Sequence, residues 1–266
     1  MSKYITIFSL SWQNEFVYRV NFLLWRLRNI LRFLMTFFLW SSIFLSSRSV
    51  FGYSQEQMLT YVFMVLIVSA IVLSSPSADN IGGEIGSGNL SNYLVKPINY
   101  LKYWFTRDLS SKVFNLMFSI VEISILIWIF KPNLLLPNSL INLLGFLVIA
   151  ALATIIYYFV NVSSRLVAFW TPENTWPFAF LILVIIEVTA GGIFPLDILP
   201  DWLQTLLQFT PFPYLLYFPV AIFVNKISGV EILRIIIQAA VWVIILNYIT
   251  QFVWRKGLVT YSSEGR

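Results

Sequence analysis

Six long apolar segments follow one another along this chain, and each meets or approaches the roughly 20 residues that a helix needs to cross the hydrocarbon of a bilayer. They cover residues 29–45, 59–75, 113–130, 140–162, 176–194 and 232–253. Hydrophobic residues make up 59% of the sequence and charged residues 11%, so a soluble domain of 266 residues would be unable to bury the apolar surface. The sequence therefore predicts an all-α membrane protein with six transmembrane helices, built as one membrane domain over residues 1–266.

The lysines and arginines predict how these helices are oriented. If the amino terminus is cytoplasmic, the inner segments carry thirteen of the 17 basic residues, namely Lys3, Arg19, Arg26, Arg28, Arg32, Lys96, Lys102, Arg107, Lys112, Arg165, Arg255, Lys256 and Arg266. The outer segments carry Arg48, Lys131, Lys226 and Arg234. Because cytoplasmic segments are enriched in basic residues, we expect both termini to be cytoplasmic. The basic excess is spread over several short segments, so topology and lipid contact explain it better than nucleic-acid binding.

Two regions outside the six segments have patterns of their own. Residues 1–28 carry an apolar stripe at helical spacing and predict an amphipathic helix lying at the inner membrane interface. The stripe consists of Ile5, Phe8, Trp12, Phe16 and Val20. Residues 195–229 hold five prolines around two apolar pieces, 202–209 and 214–224, which are too short to cross a bilayer. We therefore expect extracellular re-entrant or interfacial helices before the last span.

The residues that are missing exclude several kinds of chemistry. The chain has no cysteine and no histidine, so it offers no disulfide, no Cys/His metal site and no imidazole acid–base group. The glycine-rich stretch GGEIGSGNLSNYLVKP at residues 82–97 lacks the lysine and the glycine spacing of a phosphate-binding P-loop. Nucleotide binding and ATP hydrolysis by this chain itself are therefore not expected.

The same stretch lies in the inner region of residues 76–112, between the second and third predicted spans. It resembles the segment of type-2 ATP-binding-cassette (ABC) exporter permeases that faces the ATPase. In that family a charged residue and a glycine precede a Leu-x-x-x-Leu-x-x-Pro string, and here these residues are Glu84, Gly88, Leu90, Leu94 and Pro97. The sequence GLVTYSSEG at residues 257–265 also resembles the tail of a bacterial subgroup of these permeases.

The resemblance implies half of an exporter in a bacterial inner membrane. Such a permease pairs with a second permease chain, the same or a related one, and docks a dimer of cytosolic ABC ATPases. ATP and Mg²⁺ would be bound by the ATPases, and this chain would bind no cofactor. A secondary transporter or channel that needs no ATPase is the alternative, although the sequence has no corresponding pair of interrupted spans. A membrane enzyme is a weaker alternative, since no third acid joins Asp79 and Glu84.

Residues that would couple the permease to an ATPase follow from this resemblance. They are Glu84, Gly86, Gly88, Leu90, Leu94, Lys96 and Pro97. Glycines from Gly82 onward would allow a sharp turn, while Glu84 and Lys96 would offer charge partners. Pro97 is predicted to begin an amphipathic helix that leads into the third span. The stripe of this helix is Leu94, Ile98, Leu101, Phe105 and Leu109. A flexible inner loop with turn glycines would give the same pattern.

Two carboxylates fall near the middle of predicted spans, Glu122 in the third and Glu187 in the fifth. A charge at that depth costs about 3 kcal/mol or more, so each must face protein or water rather than lipid. Either they line a translocation path, together with Thr189, or they join helices through hydrogen bonds. We expect the structural role for Glu122 and leave both open for Glu187. The partners considered are Asn115, Asn161, Gln238 and Asn247. Arg32 is expected to snorkel to the headgroups.

Overall fold

The computed structural model describes residues 3–17, 19–75 and 77–261, without the side chains of residues 19–21, 77–79 and 174. Within these ranges the chain forms eleven α-helices and one β-hairpin. The helices are α1 (Lys3–Val17), α2 (Arg19–Ile43), α3 (Gln55–Val72), α4 (Ser77–Gly86), α5 (Ser91–Leu94), α6 (Tyr100–Phe130), α7 (Leu140–Arg165), α8 (Thr175–Thr189), α9 (Asp201–Gln208), α10 (Tyr217–Phe223) and α11 (Val230–Thr260). Short 3₁₀ turns occupy Leu166–Phe169, Pro172–Asn174, Leu196–Ile198 and Phe212–Tyr214.

The hairpin precedes α3 and consists of β1 (Ser49–Val50) and β2 (Tyr53–Ser54), paired antiparallel with Ser49 opposite Ser54. Residue Gly52 in its turn has a φ of 72°, a backbone conformation that glycine adopts without strain. The hairpin precedes α3 and α4 follows α3, so the hairpin and α4 mark opposite ends of the bundle. These are called the hairpin end and the α4 end below.

Four helices in the described part of the chain are long and apolar enough to cross a membrane: α3, α6, α7 with the turn after it, and α11. The all-α membrane class is thereby confirmed, and four of the six predicted segments lie in these helices. The fifth segment corresponds to α8, which has only 15 residues, about 22 Å of helix. The first lies in α2, which has 25 residues but carries several arginines.

Helix α3 is the centre of the bundle. Its side chains are apolar on all faces, which is the pattern of a helix surrounded by protein, and Met58, Val68 and Val72 are fully buried. Its first turn is fixed by a capping box, in which Ser54 accepts from the N–H of Gln57 and the Gln57 side chain accepts from the N–H of Ser54. Helices α2, α6, α7 and α10 pack around α3.

The region of residues 195–229 contains two short helices, as its prolines indicated. Helix α9 has an exposed apolar side with Trp202, Leu206 and Phe209. Helix α10 is instead enclosed, since Val220 and Ala221 are fully buried and the helix packs on α7 and α3. The two pieces therefore differ in environment, one lying on the surface and one inside the bundle.

The carboxyl end of the predicted amino-terminal helix differs from the structure. We placed its end at residue 28, whereas α1 ends at Val17 and α2 runs from Arg19 through the first predicted span. No proline or glycine occurs in α2 to interrupt it. The apolar stripe of α1 packs on α6, where the Trp12 and Phe16 rings meet Phe114 at centroid distances of 5.4 and 5.0 Å. The side chain of Val20 lies outside the described residues.

The predicted start of the third-span helix at Pro97 is wrong. Helix α6 begins at Tyr100, because the Asn99 side chain accepts a hydrogen bond from the N–H of Lys102 over 2.9 Å and caps the helix there. From that point α6 is continuous for 31 residues, about 46 Å. This length exceeds the roughly 30 Å of bilayer hydrocarbon, so α6 is longer than a membrane crossing requires.

Candidate functional site

Residues 77–99 contain the residues that the resemblance assigns to ATPase coupling and are called the coupling segment for that expectation. They fold as α4, a tight turn and the four-residue helix α5. A sharp change of direction occurs at Gly88, which has a φ of 78°. The N–H of Gly88 donates to the carbonyl of Ile85, and the N–H of Leu90 donates to the carbonyl of Glu84 over 2.9 Å. The expected glycine turn is therefore built at Gly88 alone.

The other glycines of the segment lie inside α4 and serve a different purpose. A Cβ on Gly82 would lie 3.3 Å from Thr175, and a Cβ on Gly86 would lie 3.2 Å from Pro172. Both therefore allow α4 to approach the start of α8 and the 3₁₀ turn before it. Gly83 faces open space. The segment is thus packed against the bundle on one side, unlike a free inner loop.

Glu84 holds the segment together. Its carboxylate accepts hydrogen bonds from the hydroxyl of Tyr93 over 2.8 Å, from the hydroxyl of Tyr100 over 2.5 Å and from the indole N–H of Trp104 over 3.3 Å. Through these three hydrogen bonds Glu84 ties α4 to α5 and α6. Burial, followed by the hydrogen bond to Glu84, raises the pKa of Tyr93 above its usual value. Glu84 is thus engaged within the chain, where the sequence suggested a partner outside it.

A small apolar core lies beneath the segment at the α4 end. It is separate from the main core around α3 and joins side chains of α4, α6, α7 and the turn after α7. Its buried members are Ile81, Ile85, Leu90, Tyr100, Leu101, Trp104, Tyr158, Val162, Leu166, Ala168 and Phe169. Leu90, the first leucine of the family string, is completely buried here. It anchors the segment rather than contacting a partner.

The second half of the segment forms an exposed tip. The exposed fraction is 46% for Leu94 and 84% for Val95, and Lys96 and Pro97 are also exposed. Lys3 of α1 donates a hydrogen bond to the carbonyl oxygen of Pro97 over 2.6 Å. The coupling residues named from the sequence are therefore divided into a braced base with Glu84 and Leu90, and an apolar, basic tip at residues 94–97.

A polar cluster that the sequence did not single out lies where α3 ends. The ammonium group of Lys112 donates to the carbonyl oxygens of Val72 over 2.8 Å and Ser74 over 2.6 Å, closing the carboxyl end of α3. Asp108 is fully buried and accepts a hydrogen bond from Ser75 over 2.6 Å. The cluster fixes α6 to the segment that joins α3 to α4. Its signal in the sequence was an Asp and a Lys four positions apart in α6.

Both mid-span carboxylates have arginine partners on α2. Glu122 lies 2.7 Å from Arg26, and their side chains are only 9% and 8% exposed. The guanidinium of Arg26 also donates to the hydroxyl of Ser119. Glu187 lies 2.8 Å from Arg32, and this pair is open, with exposed side-chain fractions of 38% and 29%. The structure thus gives Glu122 a buried helix-joining contact and leaves Glu187 partly accessible.

These ion pairs were not predicted from the sequence, because the acids and the arginines were each considered separately. Arg32, which was expected to snorkel to the headgroups, pairs with Glu187. Three of the polar residues considered as partners for the acids bond elsewhere: Asn115 with Ser111, Asn161 with Ser75, and Gln238 with Tyr214. The sequence signal for these ion pairs was the presence of two arginines and two acids in apolar segments. An unpaired charge is costly in a membrane, so such residues are expected to pair.

The open ion pair lies where α8 stops. Thr189 is the last residue of α8, and its hydroxyl donates within the helix to Ile185. Gly191 follows with a φ of 82°, and its carbonyl accepts a hydrogen bond from Tyr61 over 2.6 Å. A Cβ on Gly192 would overlap the guanidinium of Arg32. The unwound end of α8 therefore fits directly around Arg32.

No group of three carboxylates, histidines or cysteines that would hold a metal ion occurs within residues 3–17, 19–75 and 77–261. The side chain of Asp79, considered with Glu84 as a catalytic pair, is outside the described atoms. Of the tail at residues 257–265, the structure describes the part up to Tyr261, and residues 262–265 lie outside it.

Comparison with known families assigns the chain to a family. No curated protein matches the chain. A family model described as ABC-2 family transporter protein matches residues 30–265, nearly the whole length of the sequence. The match spans all four long apolar helices and the coupling segment, and it confirms the resemblance to type-2 ABC permeases. The chain therefore belongs to the ABC-2 family of transporter proteins and is a membrane component of an ABC transporter.

Proposed function

We propose that this protein is the permease subunit of an ATP-driven exporter and that residues 77–99 receive the motion of a separate ATPase dimer. The observation that carries the proposal is the coupling segment itself. It combines a braced base, centred on Glu84, with an exposed apolar tip at Leu94 and Val95. A rigid element with an exposed apolar end is suited to dock on a partner and to transmit force to the helices behind it. ATP and Mg²⁺ belong to the partner in this proposal.

The tip supplies the docking contacts and the base supplies the transmission. Leu94, Val95, Lys96 and Pro97 are exposed and face away from the bundle core, so they are the residues that an ATPase would contact. Glu84, Gly86, Gly88 and Leu90 act behind them, by holding the segment to α6, α8 and the small apolar core. Lys96 is the charged residue of the tip that a partner's acidic group would meet.

Six spans complete the proposed permease, with α2 and α8 added to the four long apolar helices. The 25 residues of α2 measure about 38 Å, enough to cross the hydrocarbon. Two of the four arginines of α2, Arg26 and Arg32, are paired with Glu122 and Glu187, which lowers the cost of placing them in the membrane. The α4 end would be cytoplasmic in a bacterial inner membrane, and α9 and α10 would lie toward the outside as interfacial and re-entrant helices.

The cargo path is proposed to pass beside the open pair of Arg32 and Glu187, between this chain and a second permease chain. Both side chains are partly exposed on the surface of this chain, and an exposed charge facing lipid would be costly. Water or a protein partner must therefore cover them. Thr189 and the unwound residues after α8 lie next to this pair. Glu122 is assigned to helix joining, because its pair with Arg26 is closed.

Copurification tests the proposal. A tagged full-length chain extracted from its own membrane should retain an ABC ATPase and a permease chain, identified by mass spectrometry. The substitution Val95→Asp places a charge on the docking face, and burying an unpaired charge costs several kcal/mol, so the retained ATPase should fall by about tenfold or more.

The matched control is Phe51→Asp, which puts the same charge on an apolar side chain that is 64% exposed at the hairpin end. It should leave ATPase retention unchanged. A chain that keeps its fold but never retains an ATPase, and transports with an ion gradient alone, would instead be a secondary transporter.

A further inference from the structure

The last described residue of the chain reaches across to the coupling segment. Tyr261 follows α11, and its hydroxyl donates a hydrogen bond to the carbonyl oxygen of Gly88 over 2.6 Å. The same hydroxyl oxygen accepts a hydrogen bond from the backbone N–H of Ser91 over 3.1 Å. Both groups belong to the turn between α4 and α5. One side chain from the end of the chain therefore bridges the two sides of this turn.

Tyr261 is held in this position by its surroundings. Its ring lies edge-on to the ring of Phe169, with centroids 6.0 Å apart and planes at 84°. Gly257, one helical turn earlier, lies directly on Phe169, and a Cβ there would overlap the ring. Trp254 stacks on Tyr100 at 5.1 Å with an interplanar angle of 11°. The end of α11 is thus fixed to the turn after α7 and to the start of α6.

We infer that α11 is a second output of the coupling segment and that Tyr261 is the positioning residue that connects the two. The inference rests on the proposed function, since it takes the coupling segment as the part that an ATPase moves. Along the chain the segment is joined to α3 at its start and to α6 at its end. Tyr261, which follows α11 and lies 170 positions after Ser91 in the sequence, attaches it to a further long helix. A displacement of the α4–α5 turn is therefore delivered to two long helices at once.

The first experiment measures the attachment itself in the purified full-length chain in lipid nanodiscs. The natural chain has no cysteine, so cysteines introduced at Asn92 and Val259, both exposed, carry spin labels without background. Tyr261→Phe keeps the ring on Phe169 and removes only the hydroxyl. The variant loses both hydrogen bonds of the hydroxyl, and each such loss shifts an equilibrium by roughly fivefold. The distance distribution between the labels should therefore broaden toward longer distances.

The matched control for this distance measurement is Tyr248→Phe on the same helix. Tyr248 is 72% exposed and distant from the coupling segment, so the distribution should stay as in the parent chain. A distribution that is identical in Tyr261→Phe and in the parent would overturn the attachment, whatever the transporter does.

The second experiment uses unlabelled chains with a single cysteine at residue 92 or at residue 259. The ATPase and ATP are added, and the rate at which a water-soluble maleimide modifies the cysteine is measured. ATP should change the rate at both positions in the parent chain. In Tyr261→Phe the change at residue 92 should persist and the change at residue 259 should become clearly smaller, leaving the part that is transmitted through the stack of Trp254 on Tyr100. An equal ATP response at residue 259 with and without the hydroxyl would refute the second output. No ATP response at either position of the parent chain would count against the proposed function as well.

Discussion

At the residue scale, Arg26 and Arg32 lie in an apolar helix, and each forms an ion pair with an acid from a different neighbouring helix. The pair of Arg26 with Glu122 is almost closed to solvent, whereas that of Arg32 with Glu187 is about one-third exposed. A closed pair contributes little net stability, but removal of one partner leaves an uncompensated charge in the interior. The two pairs should therefore respond differently to the same substitution.

Glu122→Leu should destabilise the protein by about 3 kcal/mol, because it leaves Arg26 buried without its carboxylate. Glu187→Leu is the matched variant and should cost clearly less, since Arg32 retains access to water. Thermal unfolding of the purified chain in detergent would measure both.

The double variant R26L/E122L separates charge from packing in this measurement. It removes both charges, so it should recover most of the stability that Glu122→Leu loses. If the double variant unfolds as early as the single one, the ion pair is not the reason for the loss.

At the element scale, the coupling segment depends on one glycine for its shape and on other glycines for its contacts. Gly88 has a positive φ, and an alanine there should cost about 1 kcal/mol and loosen the α4–α5 turn. Faster hydrogen exchange at residues 84–95 would report this loosening, and transport coupled to ATP hydrolysis should fall in the same variant.

Gly83→Ala is the control for the turn, because Gly83 is helical and faces open space. Alanine is favoured over glycine inside a helix by about 1 kcal/mol, so α4 should be unchanged or more stable. Faster exchange in Gly83→Ala, or none in Gly88→Ala, would contradict the assignment of the turn to Gly88.

Local signals in the sequence predicted which elements exist better than where they begin. The short apolar pieces of residues 195–229 and the stripe leading into α6 each correspond to helices. The predicted and observed bounds of a helix differ where a single capping contact determines its first residue. At Asn99 a side-chain hydrogen bond caps α6, so the helix begins three residues after Pro97. The hydrogen bonds of Glu84 were not predictable either, because Tyr93, Tyr100 and Trp104 meet it only after three helices have packed.

At the scale of the whole molecule, the class of fold followed from apolar content alone, whereas the count of spans depends on pairing between distant residues. Arg32 and Glu187 are 155 positions apart, and no periodicity within either segment indicates that they meet. The proposal that α2 is a span depends on this ion pair. Long-range electrostatic pairing is therefore the part of this structure that sequence patterns leave out.

Labelling from the two sides of the membrane tests the proposed topology. Single cysteines at Val95 and Phe51, both exposed and at opposite ends of the bundle, should react with a membrane-impermeant maleimide from opposite sides. In intact bacterial cells only the cysteine at residue 51 should be labelled, and in inverted membrane vesicles only the one at residue 95. Labelling of both positions from one side would rule out the six-span arrangement.

The arginines of α2 also have a consequence for the order in which the protein is made. Arg26 and Arg32 leave the ribosome long before their partners, and Ser119, which shares Arg26 with Glu122, is 93 positions later. Until α6 and α8 have been synthesised, α2 therefore carries unpaired charges. If α2 crosses the membrane as proposed, its entry must wait for later helices or be assisted, so the first proposed span to be translated would be among the last to reach its final place.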